Sequence, residues 1–143
     1  MKDPRALKRI RGMSEGNSIT LIHGAGTQIS DALKSKKIHY EFIDGIRHTT
    51  TEGLRICLRE SNKARKSLEN RLKGTGVSII SPVYKKGKNI INRNAEEIFG
   101  DIHKDFDKKI IFTISDREKP LLKNINDVEV IKLEPLHENI MRQ

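Results

Sequence analysis

Apolar positions along the chain follow two rhythms. The first is a set of short, β-branched and leucine-rich runs: SITLIH (18–23), VSIISPV (77–83), KKIIFTI (108–114) and VEVIKL (128–133). Runs of this length and composition predict buried strands. IHYEFID (38–44) alternates instead, with Ile38, Tyr40 and Phe42 on one face and His39, Glu41 and Ile43 on the other, and predicts a further strand. The second rhythm is helical. TQISDALKSKK (27–37) places Ile29 and Leu33 four apart on an inward side. Between 49 and 73, Leu54, Cys57, Leu58, Ser61, Ala64, Leu68 and Leu72 form a narrow apolar stripe over a long helix. Thr49 with Glu52 has the form of its capping box, and KGTG is its stop. Residues 4–12 predict a short basic helix that frays, and NAEEIFGDIHKDF (94–106) a helix presenting Ile98, Phe99, Ile102 and Phe106. YKKGKNII turns at Gly87 and returns extended, and EKPLLKN is a turn or short helix.

Strands alternating with helices predict an α/β fold, a three-layer sandwich on a mostly parallel sheet. The strand at 38–44 would close a β-α-β unit with the strand at 18–23. One domain is expected over 1–143: a core of about 18–133, a basic N-terminal segment 1–17 and a loose tail 134–143. Ligands of such sheets bind at the carboxyl ends of the strands. The pieces expected there are His23 to Gly26, Asp44 to Thr49, Ser81 to Tyr84, and Thr113 to Arg117.

Composition narrows the classes. With 33% charged and 35% hydrophobic residues and no apolar stretch near bilayer length, no membrane partner is expected. The charged N-terminus does not suit an export signal, and one cysteine excludes an internal disulfide, so a cytoplasmic location is expected. The net charge of +9 attracts polyanions, but the Lys and Arg residues are scattered and aromatics are only 4%, which reads as a solvated surface. Nucleic-acid binding stays open through Arg55, Arg59, Lys63, Lys66 and Arg71, on the polar side of the long helix.

Three stretches carry candidate chemistry. Gly24 and Gly26 end a strand and precede a helix, where free backbone N–H groups suit a carboxylate or phosphate; a tight turn that binds nothing is the alternative. Gly24-x-Gly26 with Asp44 hints at a dinucleotide fingerprint, but Ile29 occupies the third glycine's place. Arg47, just before the long helix, could clasp a carboxylate or simply pair with Asp44 or Glu52. Asn92 and Asn94 precede a helix as caps do, with Glu96 and Glu97 at its positive end. The five histidines show no metal-ligand spacing, so no metal site is expected; His23 stands out for adjoining the glycine turn.

Together these stretches resemble the amino acid kinase family, in its acetylglutamate kinase branch. ITLIHGAGTQISDALKSKKIHYEFIDGIRHTTTEGLRICL is similar to the family's strand ending His-Gly-Gly-Gly, its helix, and Phe-x-Asp-Gly-x-Arg-x-Thr; GVSIISPVYKKGKNIINRNAEEIF is similar to its Ala-Pro-Val strand, hairpin and Asn-x-Asn-Ala-Asp. The resemblance covers roughly 18–114. It implies an ATP- and Mg²⁺-dependent phosphotransferase of arginine biosynthesis acting on an acylated acidic amino acid. It also implies substrate contacts at Gly24, Ala25, Gly26, Arg47 and Asn92, and an acid that organises the catalytic lysines at Glu96. The sequence departs from the pattern at Ala25, a glycine in the family, and at Glu96, an aspartate there. Also expected to be absent are the N-terminal strand with its lysine and glycine pair, a middle substrate-side segment, and the nucleotide-binding half. A reduced amino-acid-kinase-like domain, catalytically active or a pseudoenzyme that binds a small carboxylate, is therefore expected. It would work as a homo-oligomer or with a partner chain that supplies the missing lysines.

Overall fold

The computed structural model describes residues 4–113 and 128–132, with side chains for 4–110 and Glu129. The described residues divide after Ile98 into two compact units.

The first unit opens with helix α1 (Pro4–Ser14), which buries Ala6, Leu7 and Ile10. The basic N-terminal segment is thus a packed helix, two residues longer than expected, because three apolar side chains share one face. Strand β1 (Thr20–Ile22) runs parallel to β4 (Ser78–Ile80), with Leu21 opposite Ile79. The His23 N–H continues the ladder to the Ile80 carbonyl at 3.2 Å. The connection between them holds helix α2 (Gly26–Ser35), strands β2 (Tyr40–Ile43) and β3 (Ile46–Thr49), and helix α3 (Thr51–Arg71).

Here the structure corrects the sequence reading. Strand β2 does not lie beside β1; it pairs antiparallel with β3, Phe42 opposite Arg47 and Ile43 opposite Ile46. Asp44 (φ 52°) and Gly45 (φ 80°) are both left-handed, which is what a two-residue hairpin turn twisted to match its strands requires. Asp44 is therefore a turn residue on a hairpin, not a ribose-binding acid at the end of a neighbouring parallel strand, and the dinucleotide reading falls with it. The cap of α3 also moves by one: the Thr50 hydroxyl accepts from the Gly53 N–H at 3.0 Å. Thr49 ends β3, and its hydroxyl donates to the His39 carbonyl at 2.7 Å.

Helices α2 and α3 enclose the core, with Ala25, Ile29, Leu33, Ile56, Cys57 and Val83 buried together. Ile29, Leu33 and Cys57 are where their spacing put them; Ile56 joins them, one position off the expected stripe. The Arg11 guanidinium donates to the Arg71 carbonyl in the last turn of α3, where a cation is favoured. Ser81 and Pro82 divide the strand expected at 77–83, and β5 (Val83–Lys86) then pairs antiparallel with β6 (Asn89–Asn92) around Gly87 (φ 61°), the turn the sequence predicts.

Helix α4 (Ala95–Ile102) follows, with a 3-10 turn at His103–Asp105. In the second unit, β7 (Lys109–Thr113) pairs in parallel with β8 (Val128–Lys132). The expected α/β class holds: two parallel ladders join strands far apart in sequence, and two hairpins add antiparallel pairs. EKPLLKN, the segment after Thr113 expected at the ligand end, and the tail after Pro135 lie outside the described residues. No helix among the described residues is long and apolar enough to cross a membrane.

Candidate functional site

The turn from β1 into α2 begins at His23, only 1% exposed. Its Nε2 shares a 2.6 Å hydrogen bond with the Ser81 hydroxyl, tying together the carboxyl ends of β1 and β4. Burial pushes the His23 pKa below the usual imidazole value, partly offset by the Gly24 backbone. Among the described residues its Nδ1 is buried without a hydrogen-bond partner. Ala25, also buried, anchors the turn to the core, whereas Gly24 and Gly26 are exposed. A Cβ at either glycine would meet nothing within 4 Å. Neither packing nor a left-handed backbone demands glycine there; what the pair provides is bare backbone open to close approach. Ala25 is the N-cap of α2 and offers no side-chain acceptor, so the first N–H groups of the helix keep their positive end uncompensated by a cap.

Arg47 comes to that same turn from β3. It is 7% exposed; its Nη1 donates to the Ser30 hydroxyl at 2.9 Å and its Nη2 to the Gly26 carbonyl at 3.1 Å. The guanidinium carbon lies 4.6 Å from the Tyr40 ring centroid and 4.7 Å from that of Phe42. The helix start it addresses is therefore that of α2, not of α3 as its place in the sequence suggests. It is not paired with Asp44 or Glu52, and among the described residues no carboxylate contacts it. A buried guanidinium without a counter-ion among the described residues, beside a helix N-terminus, leaves two positive groups at one open turn.

Asn92 ends β6, and its Nδ2 donates to the Arg47 carbonyl at 2.8 Å. It is no helix cap. Asn94 is: its Oδ1 accepts from the Glu96 N–H at 2.8 Å while its Nδ2 donates to the Gly45 carbonyl, also at 2.8 Å. The two asparagines thus fasten the hairpin that carries Arg47. Glu96 stands in the first turn of α4, and neighbouring Glu97 is paired with Arg93. So the structure brings together Gly24, Ala25, Gly26 and Arg47 directly, and Asn92 through the Arg47 backbone.

Sequence reasoning placed Ser81 at this end of the sheet but missed Ser30, Tyr40 and Phe42 as parts of the site. Ser30 could have been found one turn into α2 from Gly26; the rings became partners of Arg47 only once β2 and β3 paired. Among the described residues no group of three His, Cys, Asp or Glu side chains could hold a metal ion. On the polar side of α3, Arg59 and Lys63 share Glu60, and Arg65 pairs with Glu69 at 2.9 Å.

Comparison with known proteins agrees with the sequence resemblance. The chain is 30% identical over 127 residues to the acetylglutamate kinase of Endomicrobium trichonymphae, a match covering 86% of this chain and 51% of that protein. It is 32% identical over 79 residues to the acetylglutamate kinase of Geobacillus kaustophilus, covering 54% of this chain and 31% of the relative. A third acetylglutamate kinase, from Geobacillus stearothermophilus, is 30% identical over 67 residues, 46% of this chain and 26% of the relative. The match thus spans about half the length of the first relative, or less for the others. No family model matches the chain, and no solved structure matches it significantly.

Proposed function

We propose that this amino-acid-kinase-like relative of the acetylglutamate kinases binds a small acidic amino acid, or its N-acyl derivative, through a carboxylate held at Arg47 and the first turn of α2. The observation that carries the reading is the buried Arg47 guanidinium, which no carboxylate contacts among the described residues and which donates to Gly26 and Ser30 beside an uncapped helix start. A ligand carboxylate would supply the missing counter-ion by parallel hydrogen bonds, with the backbone N–H groups at Gly26 and Thr27 as further donors. Open backbone at Gly24 and Gly26 lets it approach without displacing a side chain. Asn92 acts through the Arg47 backbone in this arrangement.

ATP and Mg²⁺ enter the proposal through the relatives' activity. The same glycine turn suits phosphate oxygens, and a metal ion would be held chiefly by the phosphates themselves. Phosphoryl transfer needs concentrated positive charge at the moving group. The one guanidinium that the described residues bring to this turn is assigned to the carboxylate in this proposal, so binding rather than catalysis is the function proposed for this chain. A partner chain or second copy that brings lysines to the turn would restore transfer.

Ligand-induced thermal stabilisation tests the reading, with N-acetylglutamate, glutamate, aspartate, ATP–Mg²⁺ and a short DNA duplex, each against wild type and Arg47→Ala. A ligand at 100 times its dissociation constant adds about 2.7 kcal/mol of stability. The expected result is a shift with an acidic amino acid that vanishes in Arg47→Ala. A shift with DNA alone would replace this reading by polyanion binding. Release of ADP when N-acetylglutamate and ATP–Mg²⁺ are combined would extend it from binding to transfer.

A further inference from the structure

We propose that Tyr40 and Phe42 are positioning residues of the anion site, two rings that hold the Arg47 guanidinium against α2 before any ligand arrives. Their consequence for affinity rests on the carboxylate reading above; the restraint on Arg47 does not.

The hairpin register sets the geometry. Tyr40 and Phe42 stand two residues apart on β2 and so share a face, while Arg47 is the direct cross-strand partner of Phe42 and the diagonal neighbour of Tyr40. The rings meet edge to face, 5.9 Å between centroids at 85°. Both lie well inside the ~6 Å range over which an aromatic face attracts a cation. The Ser30 hydroxyl closes the arrangement by accepting from Arg47 Nη1, and the Ser30 side chain beside the phenol, with the nearby Lys34 and Arg47 charges, draws Tyr40 below its usual pKa against the opposing effect of burial. One cation is therefore flanked by two rings and tied to two oxygens.

Phe42 has no comparable role in the core. It is 54% exposed, whereas Tyr40 packs partly on the core beside α2. An arginine has several side-chain torsions to fix before it can clasp a planar ligand, and fixing them in advance removes that cost from binding. The rings also stand in for a counter-ion while the site is empty.

The test compares wild type with Phe42→Leu, Tyr40→Leu, Tyr40→Phe and, as a control at an exposed aromatic that does not stack on Arg47, Tyr84→Leu. Two readouts are used: water exchange of the Arg47 Nε–H by NMR, its signal assigned from Arg47→Lys, and the dissociation constant of N-acetylglutamate. Wild type, Tyr40→Phe and Tyr84→Leu are expected to show a slowly exchanging Nε–H. Each leucine variant on β2 should accelerate exchange and weaken binding about two- to fivefold. Phe42→Leu should do so with an unchanged melting temperature, which separates positioning from folding. Unchanged exchange in both leucine variants overturns the proposal, whatever the ligand does. A slowly exchanging Nε–H in a wild-type protein that binds no acidic ligand, lost in both leucine variants, overturns the carboxylate reading and leaves the ring restraint standing.

Discussion

Replacing Gly53 by alanine is expected to destabilise the protein, against the usual direction for a helix. Gly53 lies in the first turn of α3, where alanine would ordinarily add at most the about 0.5–1 kcal/mol of a helix interior. Its new Cβ would stand 2.8 Å from Cγ2 and 3.0 Å from Cβ of Thr49, and closer still to the Thr49 hydroxyl. Thr49 has little freedom to yield. Its hydroxyl donates to the His39 carbonyl at 2.7 Å, and the residue pairs with Tyr40 as the last rung of the hairpin. Rotating Thr49 away forfeits a hydrogen bond worth about 0.5–1.5 kcal/mol, and pushing α3 off β3 incurs an overpacking cost of about 1–3 kcal/mol. Set against the gain in helix propensity, the net loss is about 1–2 kcal/mol. With a urea dependence of about 2 kcal/mol per molar, the unfolding midpoint falls by roughly 0.5–1 M at unchanged slope. The double variant Thr49→Ala/Gly53→Ala should recover part of that loss, which isolates the contact. A raised midpoint in Gly53→Ala alone would refute the packing argument.

Other substitutions report on the same framework. Thr50→Ala removes the α3 cap and should cost about 1 kcal/mol in urea unfolding. Asn94→Ala breaks both the Gly45 bond and the Glu96 cap; a loss of about 1–2 kcal/mol is expected, with faster amide exchange in β3, and unchanged exchange there would count against its hold on the hairpin. Burial lowers the His23 pKa in the folded state below its unfolded value near 6.5, so the unfolded chain binds more protons between the two values. The stability that His23 contributes is therefore complete above about pH 6.5 and is lost as pH falls from there through the folded value. Denaturant midpoints measured from pH 7.5 to 5 should flatten in His23→Gln, and an undiminished slope in that variant would assign the dependence elsewhere.

What the sequence made legible was local. Ile29 and Leu33 on α2, Cys57 on α3, and the turn at Gly87 follow from spacing and composition that neighbouring residues decide among themselves. The misreadings sit where distant residues decide. Three threonines at 49–51 can each cap a helix; the His39 carbonyl, across the hairpin, takes Thr49 and leaves the cap to Thr50. Asp44-Gly45 carries a hairpin signal, yet the acid also fits a β-α-β reading, and only the pairing of β2 with β3 chooses between them. Arg47 looked towards the helix that follows it because sequence adjacency is visible, whereas Gly26 and Ser30 become its partners through tertiary folding. The bond between His23 and Ser81 spans 58 positions and depends wholly on the register of β1 against β4.

The chain's single cysteine, Cys57, is fully buried where α2 meets α3, and burial pushes its thiol above its usual pKa. A thiol reagent can then reach it only during excursions that part those two helices, because both access and thiolate are denied in the closed form. The rate of labelling becomes a clock for how often the frame around the glycine turn comes apart. A small molecule that draws Arg47 and α2 together would slow that clock in proportion to its occupancy, with no residue changed.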